Sequence, residues 1–207
     1  MARTKASQTK AERSATTKRA LLDVARGEFA GFGYAGAATE AIVAKAKVTR
    51  GALYYHFKDK QALFAGVVAD MARDISIGMA TKASEKRAPW EGLLAGCRAF
   101  LDIAAQPGIL RVYLQDAPAA MGWAEWRAVD GDGAFGFLLR SFVLALQGSR
   151  KAKEGTPAAL ARLVAGALTE AALSIAAASD PKTARADIER ALLALLVGLR
   201  EHYGAAE

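Results

Sequence analysis

The side chains best suited to binding chemistry lie in one short segment, residues 49–60. Its cations, phenols and imidazole are those of Arg50, Tyr54, Tyr55, His56, Lys58 and Lys60. Leu53 and Phe57 are four residues apart, which predicts that they share the buried side of a short helix. Thr49 precedes them and has the side chain of an N-cap. This pattern predicts a helix whose apolar side is buried and whose other side presents hydrogen-bond donors to solvent. A helix that enters a DNA groove needs both features.

The net positive charge of the chain comes from its N-terminal part. Residues 1–60 contain twelve Lys and Arg against five Asp and Glu, a net charge of +7, whereas the other 147 residues contain sixteen of each. A polyanion would therefore be attracted to this end. The opening stretch, Met1 to Ser14, is polar and basic and lacks the apolar segment of a secretory signal, so we expect a flexible arm.

Residue patterns typical of enzymes and metal sites are scarce, and we predict no catalytic residue, no metal and no cofactor. His56 and His202 have neither metal-ligand spacing nor a partnered nucleophile. Cys97 stands among apolar residues, which favours a buried thiol and a reducing, cytoplasmic compartment. Residues 131–136 spell GxGxxG, but a helical pattern precedes them, which favours an interhelical turn over a dinucleotide site. The longest apolar run, residues 191–199, is about half the length of a membrane span, so no membrane segment is expected.

The spacing of apolar residues predicts an all-α fold, because helical periodicity recurs throughout and alternating strand patterns do not. The predicted helices cover residues 15–31, 38–46, 49–56, 60–80, 89–104, 107–116, 118–129, 133–147, 157–178 and 182–203. The first is predicted to carry an apolar stripe of Leu22, Ala25, Phe29 and Phe32 and to close at Gly31–Gly33. Every proline precedes an apolar-periodic segment, as expected for a first helical turn, with Thr156 and Asp180 as predicted caps. We divide the chain into a three-helix head, residues 1–60, and a larger helical body, residues 61–207.

With these residues laid out, the head resembles the TetR family of transcriptional repressors. The match is strongest over residues 48–60, extended by Leu63 and Phe64, with further similarity over residues 25–34 and 39–43. The resemblance implies a helix-turn-helix head, a helical ligand-binding and dimerisation body, and a homodimer that releases double-stranded operator DNA when a small molecule binds. The positions that it implicates in DNA binding are Thr39, Lys47, Thr49, Arg50, Gly51, Tyr54, Tyr55, His56 and Lys60.

Different roles are expected within this set. A guanidinium offers two parallel donors to a guanine edge, so Arg50 is the candidate base reader. Adjacent residues on a helix point about 100° apart, so Tyr54 and Tyr55 cannot both be core residues. By resemblance, Tyr54 faces base or backbone, and Tyr55 and His56 bind phosphate. Thr39, Lys47 and Lys60 are expected to position the DNA backbone.

Two positions depart from the family pattern. Lys47 occupies a turn where the family usually has glycine, and a positive φ there would cost roughly 1 kcal/mol. Ala38 aligns where the second helix usually opens on a hydroxyl residue. Either Thr39 provides the cap and the phosphate contact, or one contact is missing.

The body supplies two further sets of candidates. Its aromatic and sulfur side chains could line a pocket, and the scarcity of charge among them favours an uncharged or weakly polar organic ligand. They are Trp90, Phe100, Tyr113, Met121, Trp123, Trp126 and Phe135. The last two helices have apolar stripes that we predict to pair with a second copy through Leu160, Val164, Leu168, Leu192, Leu195 and Leu199. The alternative is a helical small-molecule-binding enzyme or carrier with an incidental basic head.

Overall fold

A computed structural model describes residues 9–204, which form ten α-helices and one π-helical segment and contain no strand. The α-helices are α1 Lys10–Gly36, α2 Thr39–Lys45, α3 Arg50–His56, α4 Lys60–Ser84, α5 Pro89–Ala104, α6 Ala117–Met121, α7 Trp123–Asp130, α8 Ala134–Ala145, α9 Thr156–Ala177 and α10 Pro181–Tyr203. The π-helical segment, Ile109–Asp116, precedes α6. The all-α prediction is confirmed for these residues. The chain divides into two compact units, Met1–Val67 and Val68–Glu207, so the division falls within α4.

Helix α1 begins earlier than predicted. The Thr9 hydroxyl accepts a hydrogen bond from the Glu12 backbone N–H at 3.2 Å, and the Glu12 carboxylate accepts one from the Thr9 N–H at 2.8 Å. This capping box satisfies two backbone donors that the helix end would otherwise leave unpaired. The prediction of a flexible arm is therefore wrong for residues 10–14, and residues 1–8 lie outside the described part of the chain.

The end of α1 is bent at the predicted glycines. Gly33 has φ 72° and ψ 172°, after which the chain completes one more helical turn. The bend places Tyr34 against the rings of Phe29 and Phe64, with centroids 6.2 and 4.7 Å away. Phe32 is 58% exposed, so its predicted place in the apolar stripe is wrong. Tyr34, which is half-buried, packs on Phe29 and Phe64 instead.

In the second unit, α8 packs between α5 and α9, and α10 packs against α9 and α5. The predicted helix 118–129 is two helices, α6 and α7, because Gly122 between them has φ 85°. Proline opens α5 and α10 as predicted, and Asp180 caps α10 through the N–H groups of Lys182 and Thr183. Thr156 does not cap α9. Its hydroxyl accepts from the Lys153 N–H at 2.9 Å and closes the preceding loop instead.

Helix α9 is the one helix, within the described residues, that is long and apolar enough to cross a membrane by length and composition. The bent pair formed by α5 and residues Ile109–Met121 passes the same test if it is counted as a single span. Neither was foreseen from the sequence. Core helices of soluble proteins also pass this test, and α9 packs against α5, α8 and α10.

Candidate nucleic-acid interface

Helix α3 has the local structure that its sequence predicts. The Thr49 hydroxyl accepts a hydrogen bond from the Ala52 N–H at 3.1 Å and caps the helix. Leu53 is fully buried and Phe57 is 6% exposed, so both pack α3 against the other helices of the head. Phe57 adopts extended backbone angles, which end α3 after seven residues. The result is a short helix with one buried side and one free side.

The free side carries the predicted donors. Tyr54 and Tyr55 are 42% and 76% exposed, and Gly51 is also exposed. The prediction that the two tyrosines cannot both be core residues is confirmed. His56 is half-buried, with its ring edge-on to Tyr55 at 5.0 Å. Two phenols and an imidazole therefore stand together where α3 meets solvent.

Arg50 is exposed but is already oriented by its neighbours. Its guanidinium lies 4.0 Å from the Glu40 carboxylate of α2 and 5.6 Å from the centre of the Tyr54 ring. The pKa of Glu40 is lowered, first by a hydrogen bond from its own backbone N–H, then by the Thr39 hydroxyl and the charge of Arg50. The ionised carboxylate therefore competes with any DNA acceptor for Arg50.

The start of α2 resolves the question of its cap. Ala38 is the N-cap residue and provides no side-chain hydrogen bond. The Thr39 hydroxyl donates to the Glu40 carboxylate at 3.2 Å, so Thr39 does not cap the helix. The first turn of α2 therefore has no side-chain cap from its N-cap residue, and the Glu40 carboxylate accepts a hydrogen bond from its own backbone N–H there.

Lys47 and Lys60 have different local roles. Lys47 has φ 55°, so the predicted left-handed turn is confirmed, and it is exposed. The Lys60 ammonium donates to the Ala35 carbonyl at 3.2 Å and lies 5.0 Å from the centre of the Tyr34 ring. Lys60 thus helps to hold the bent end of α1, a role that its sequence position did not suggest.

Sequence reasoning also missed a charge pair that holds α1 to α2. Glu28 is 7% exposed, and the Lys45 ammonium donates to its carboxylate at 2.5 Å. A buried carboxylate on a helix is costly unless it is paired. The available signal was the position of Glu28 between Ala25 and Phe29 on the buried side of α1.

Comparison with known proteins gives the same assignment for both units. A family model described as bacterial regulatory proteins of the tetR family matches residues 21–67, and a tetracyclin repressor-like C-terminal domain matches residues 90–199. A crystal structure of a TetR-family transcriptional regulator from Pectobacterium atrosepticum is 35% identical, with a TM-score of 0.73 and coverage of 93% of this chain and 97% of that one. The chain belongs to the TetR family.

Two curated relatives match over shorter lengths. The HTH-type transcriptional repressor Rv1474c of Mycobacterium tuberculosis is 34% identical over 118 residues, which is 54% of this chain and 58% of that protein. The A-factor receptor protein of Streptomyces griseus is 31% identical over 91 residues, or 44% of this chain and 31% of that protein. The matches thus span less than two thirds of either relative.

Four of the predicted ligand-binding side chains lie together in the second unit. Tyr113, Trp123, Trp126 and Phe135 form a cluster with Arg127: the rings of Tyr113 and Trp123 lie 6.1 and 4.9 Å from Trp126. Tyr113 and Trp126 are 1% and 2% exposed, whereas Trp123 is 62% exposed. That these residues bind a ligand stays a prediction.

The other three predicted ligand-binding residues lie apart from this cluster or within the core. Trp90 is edge-on to Phe142 at 6.1 Å and borders a shallow groove beside α10. Phe100 and Met121 are 1% and 8% exposed. Aromatic content alone predicted a pocket, but the same content equally suits a packed helical core.

A buried polar contact lies within the Arg127 cluster. The Tyr113 hydroxyl donates to the Asp130 carboxylate at 2.6 Å, and Arg127 approaches the other carboxylate oxygen at 3.6 Å. Burial raises the pKa of Asp130, while the hydrogen bond from Tyr113 opposes that rise. Burial and the neighbouring Asp130 also raise the pKa of Tyr113. This contact joins the π-helical segment to the end of α7.

The first half of the GxGxxG segment, residues 131–133, is an interhelical turn, as predicted, and residues 134–136 begin α8. Its glycines allow close packing there. A Cβ on Gly136 would lie 1.9 Å from the Gly131 carbonyl, and one on Gly133 would lie 2.5 Å from the Tyr113 hydroxyl. Cys97 is fully buried, and burial raises its pKa to about 12, which confirms the predicted buried thiol.

The predicted dimer residues divide into two groups. Leu160, Val164 and Leu168 are 8%, 1% and 1% exposed, so they pack within the subunit and their predicted place on a free surface is wrong. Leu192 is also buried, whereas Leu195 is 47% exposed and Leu199 is partly exposed. The α9 stripe faces inward because α5 and α8 cover it. Among the large apolar side chains of α9, Leu163 is exposed, at 70%.

Proposed function

We propose that this chain is a ligand-responsive transcriptional repressor that binds palindromic operator DNA as a homodimer and is released by a small organic effector. The observation that carries the proposal is the donor-rich free side of α3 in a unit that holds the entire net charge of +7. The relative named as a transcriptional repressor supports the repressor role, and the relative named as a receptor supports the response to a ligand.

The proposed interface separates base reading from backbone contact. Arg50 and Tyr54 face the bases, because they lie along the exposed side of α3 and Arg50 offers a planar pair of donors. Tyr55, His56, Thr39, Thr49 and Lys47 contact phosphates, with Gly51 allowing close approach and Lys60 contributing from the end of α1. In a dimer the two recognition helices would meet half-sites roughly 34–36 Å apart.

Release of operator DNA follows from thermodynamic linkage between the effector site and the DNA-binding surface. An effector that lowers operator affinity by some factor must itself bind less tightly to the DNA-bound protein by the same factor. DNA as the target makes the cytoplasm the proposed location and assigns no role to a membrane. The proposal includes no enzymatic step.

The proposal is tested by gel shift on DNA upstream of the gene for this protein, at two salt concentrations. Arg50→Ala should reduce the preference for operator over random DNA by about 1–3 kcal/mol and relax one base position. Lys47→Ala should weaken binding to all DNA alike and reduce the salt slope by about one for each phosphate that a subunit no longer binds. Lys60→Ala is less suitable than Lys47→Ala for removing a phosphate contact, because Lys60 also holds the end of α1.

Two results would contradict the proposal. If the wild-type protein bound all sequences equally, the enzyme or carrier alternative would be favoured. If Arg50→Ala changed only the salt slope, Arg50 would contact phosphate and would not read a base.

A further inference from the structure

A cleft of about 450 Å³ opens between the end of α4, the start of α5 and α8, within the second unit. Its volume lies in the range of small-molecule sites. Leu93 and Phe137, 1% and 4% exposed, form part of its floor, and Leu144 stands at its edge with 60% exposure. None of the aromatic residues predicted as ligand contacts lines this cleft.

The charge of the cleft is of one sign. Lys86, Arg87 and Arg140 line it, and its lining contains no Asp or Glu. The nearest acid in sequence, Glu85, is already paired with Lys82 at 2.8 Å. In the part of the chain that the structure describes, neither Arg87 nor Arg140 has a carboxylate partner within ion-pair distance. In contrast, Arg98 and Arg185 of the same unit both pair with Glu189.

Arg140 is positioned by a neutral partner. Its guanidinium donates to the Ser76 hydroxyl at 3.0 Å, and Ser76 is 7% exposed. A hydroxyl orients the guanidinium without neutralising it, so the charge stays available to a ligand. Ser76 on α4 and Arg140 on α8 are 64 residues apart, so this hydrogen bond is a tertiary contact.

From this arrangement we infer that the effector is an amphipathic organic anion. Its apolar body packs against Leu93, Phe137 and Leu144, and its anionic group binds Arg140 and Arg87. Apolar contact provides most of the affinity, while a bidentate arginine contact fixes the orientation of the head group. The inference rests on the proposed function for its regulatory meaning, but the binding site can be tested without DNA. It also changes the expected ligand class, since an anionic head group replaces the uncharged molecule that the aromatic residues suggested.

Isothermal titration of the full chain tests the site directly. The probes are decanoate, decyl phosphate, the neutral analogue decanol and inorganic phosphate. We expect decanoate or decyl phosphate to bind roughly 10- to 100-fold more tightly than decanol, as charge-assisted hydrogen bonds allow, and inorganic phosphate to bind weakly. The stronger of the two anions identifies the head group. Equal affinity for decanoate, decyl phosphate and decanol would overturn the inference.

Variants locate the site. Arg87→Gln and Arg140→Gln should each weaken the preferred anion roughly tenfold or more, and Arg140→Lys should restore part of the affinity. Arg150→Gln removes an equal charge from an exposed loop of the same unit and should change nothing. Within the described residues, Arg87 makes no hydrogen bond that a substitution would remove. Arg87→Gln therefore still tests the site if Arg140→Gln reduces the stability of the fold. Unchanged affinity in both glutamine variants would overturn the inference.

The effector role is read separately, from operator release. The preferred anion should release operator DNA from the wild-type protein and should do so less effectively with Arg140→Gln. Binding in the cleft with no loss of operator affinity would overturn the effector assignment. If the protein bound no operator at all, the proposed function would fail, while the titrations would still test the anion site.

Discussion

Lys47 combines a strained turn conformation with an exposed positive charge on the proposed DNA-binding surface. The turn between α2 and α3 requires a left-handed conformation, which favours glycine, yet this chain places an exposed cation there. A non-glycine residue at this φ is strained, because its Cβ approaches the neighbouring carbonyl. The cation lies between the two helices of the proposed DNA-binding surface. We interpret this strain as the cost of an additional phosphate contact.

Two substitutions separate strain from charge at Lys47. Lys47→Gly and Lys47→Ala both remove the cation, but only glycine relieves the left-handed strain. Urea unfolding should find the glycine variant about 1 kcal/mol more stable than the alanine variant. Gel shifts should show the same reduction of DNA affinity for both. Equal stability would mean that the turn accommodates a Cβ without strain.

At the scale of secondary-structure elements, the second unit depends on a buried polar contact between two irregular segments. The π-helical segment and α7 meet through the hydrogen bond from Tyr113 to Asp130. Burial holds the pKa of Asp130 above its ordinary value of 3.8. The folded state therefore retains the proton more strongly than the unfolded state does. The contribution of Asp130 to stability therefore declines as the pH rises from about 3.8 through the pKa of Asp130 in the folded state.

Tyr113→Phe tests this contact through its pH dependence. At pH 7 the variant leaves a buried carboxylate with one donor fewer and should be destabilised by about 1.5–3 kcal/mol. The destabilisation should shrink on stepwise acidification towards pH 4, as Asp130 becomes protonated and needs the donor less. Urea unfolding over this range measures it, with the half-buried Tyr203→Phe as the matched control. A destabilisation that did not vary with pH would show that the Tyr113 hydroxyl stabilises the fold independently of the charge on Asp130.

At the scale of the whole molecule, the proposed dimer requires an exposed apolar surface, and helices α9 and α10 provide one. A groove of about 460 Å³ between them is lined by Ala167, Ala171 and Leu195 among others. Leu163, Leu193 and Leu195 are 70%, 37% and 47% exposed. Of these three, Leu195 lines the groove, and exposed apolar surface of this kind is typical of protein–protein interfaces. A second copy of this chain is the proposed partner, through an isologous contact of the two helices.

Light scattering tests this assembly. Leu195→Glu and Leu163→Glu should dissociate the dimer into folded monomers, because each places a charge on the proposed interface without disturbing the core. Val143→Glu is the matched control: Val143 is 53% exposed on α8 and the variant should remain dimeric. Leu168→Glu cannot serve, because Leu168 is buried and its variant should unfold. A wild-type protein that is monomeric at micromolar concentration would refute the interface.

The sequence by itself determined the features that depend on near neighbours. The cap of α3 by Thr49 and the exposed side of α3 follow from contacts within four residues, while the positive φ of Lys47 was implied by the resemblance to the TetR family. The failures within the head have a different origin. Phe32 satisfied the helical period, but the bend at Gly33 replaced it with Tyr34, since a change of chain direction alters which side chain faces the core.

Only the tertiary structure decided which apolar and aromatic residues are core and which are surface. The stripe of Leu160, Val164 and Leu168 suits a subunit core and a dimer interface equally well, and the packing of α8 against α9 made it core. The contact between Ser76 and Arg140 spans 64 residues, so no local pattern could reveal the basic cleft. Periodicity shows that a helix has an apolar side, but the neighbouring helices determine what covers that side.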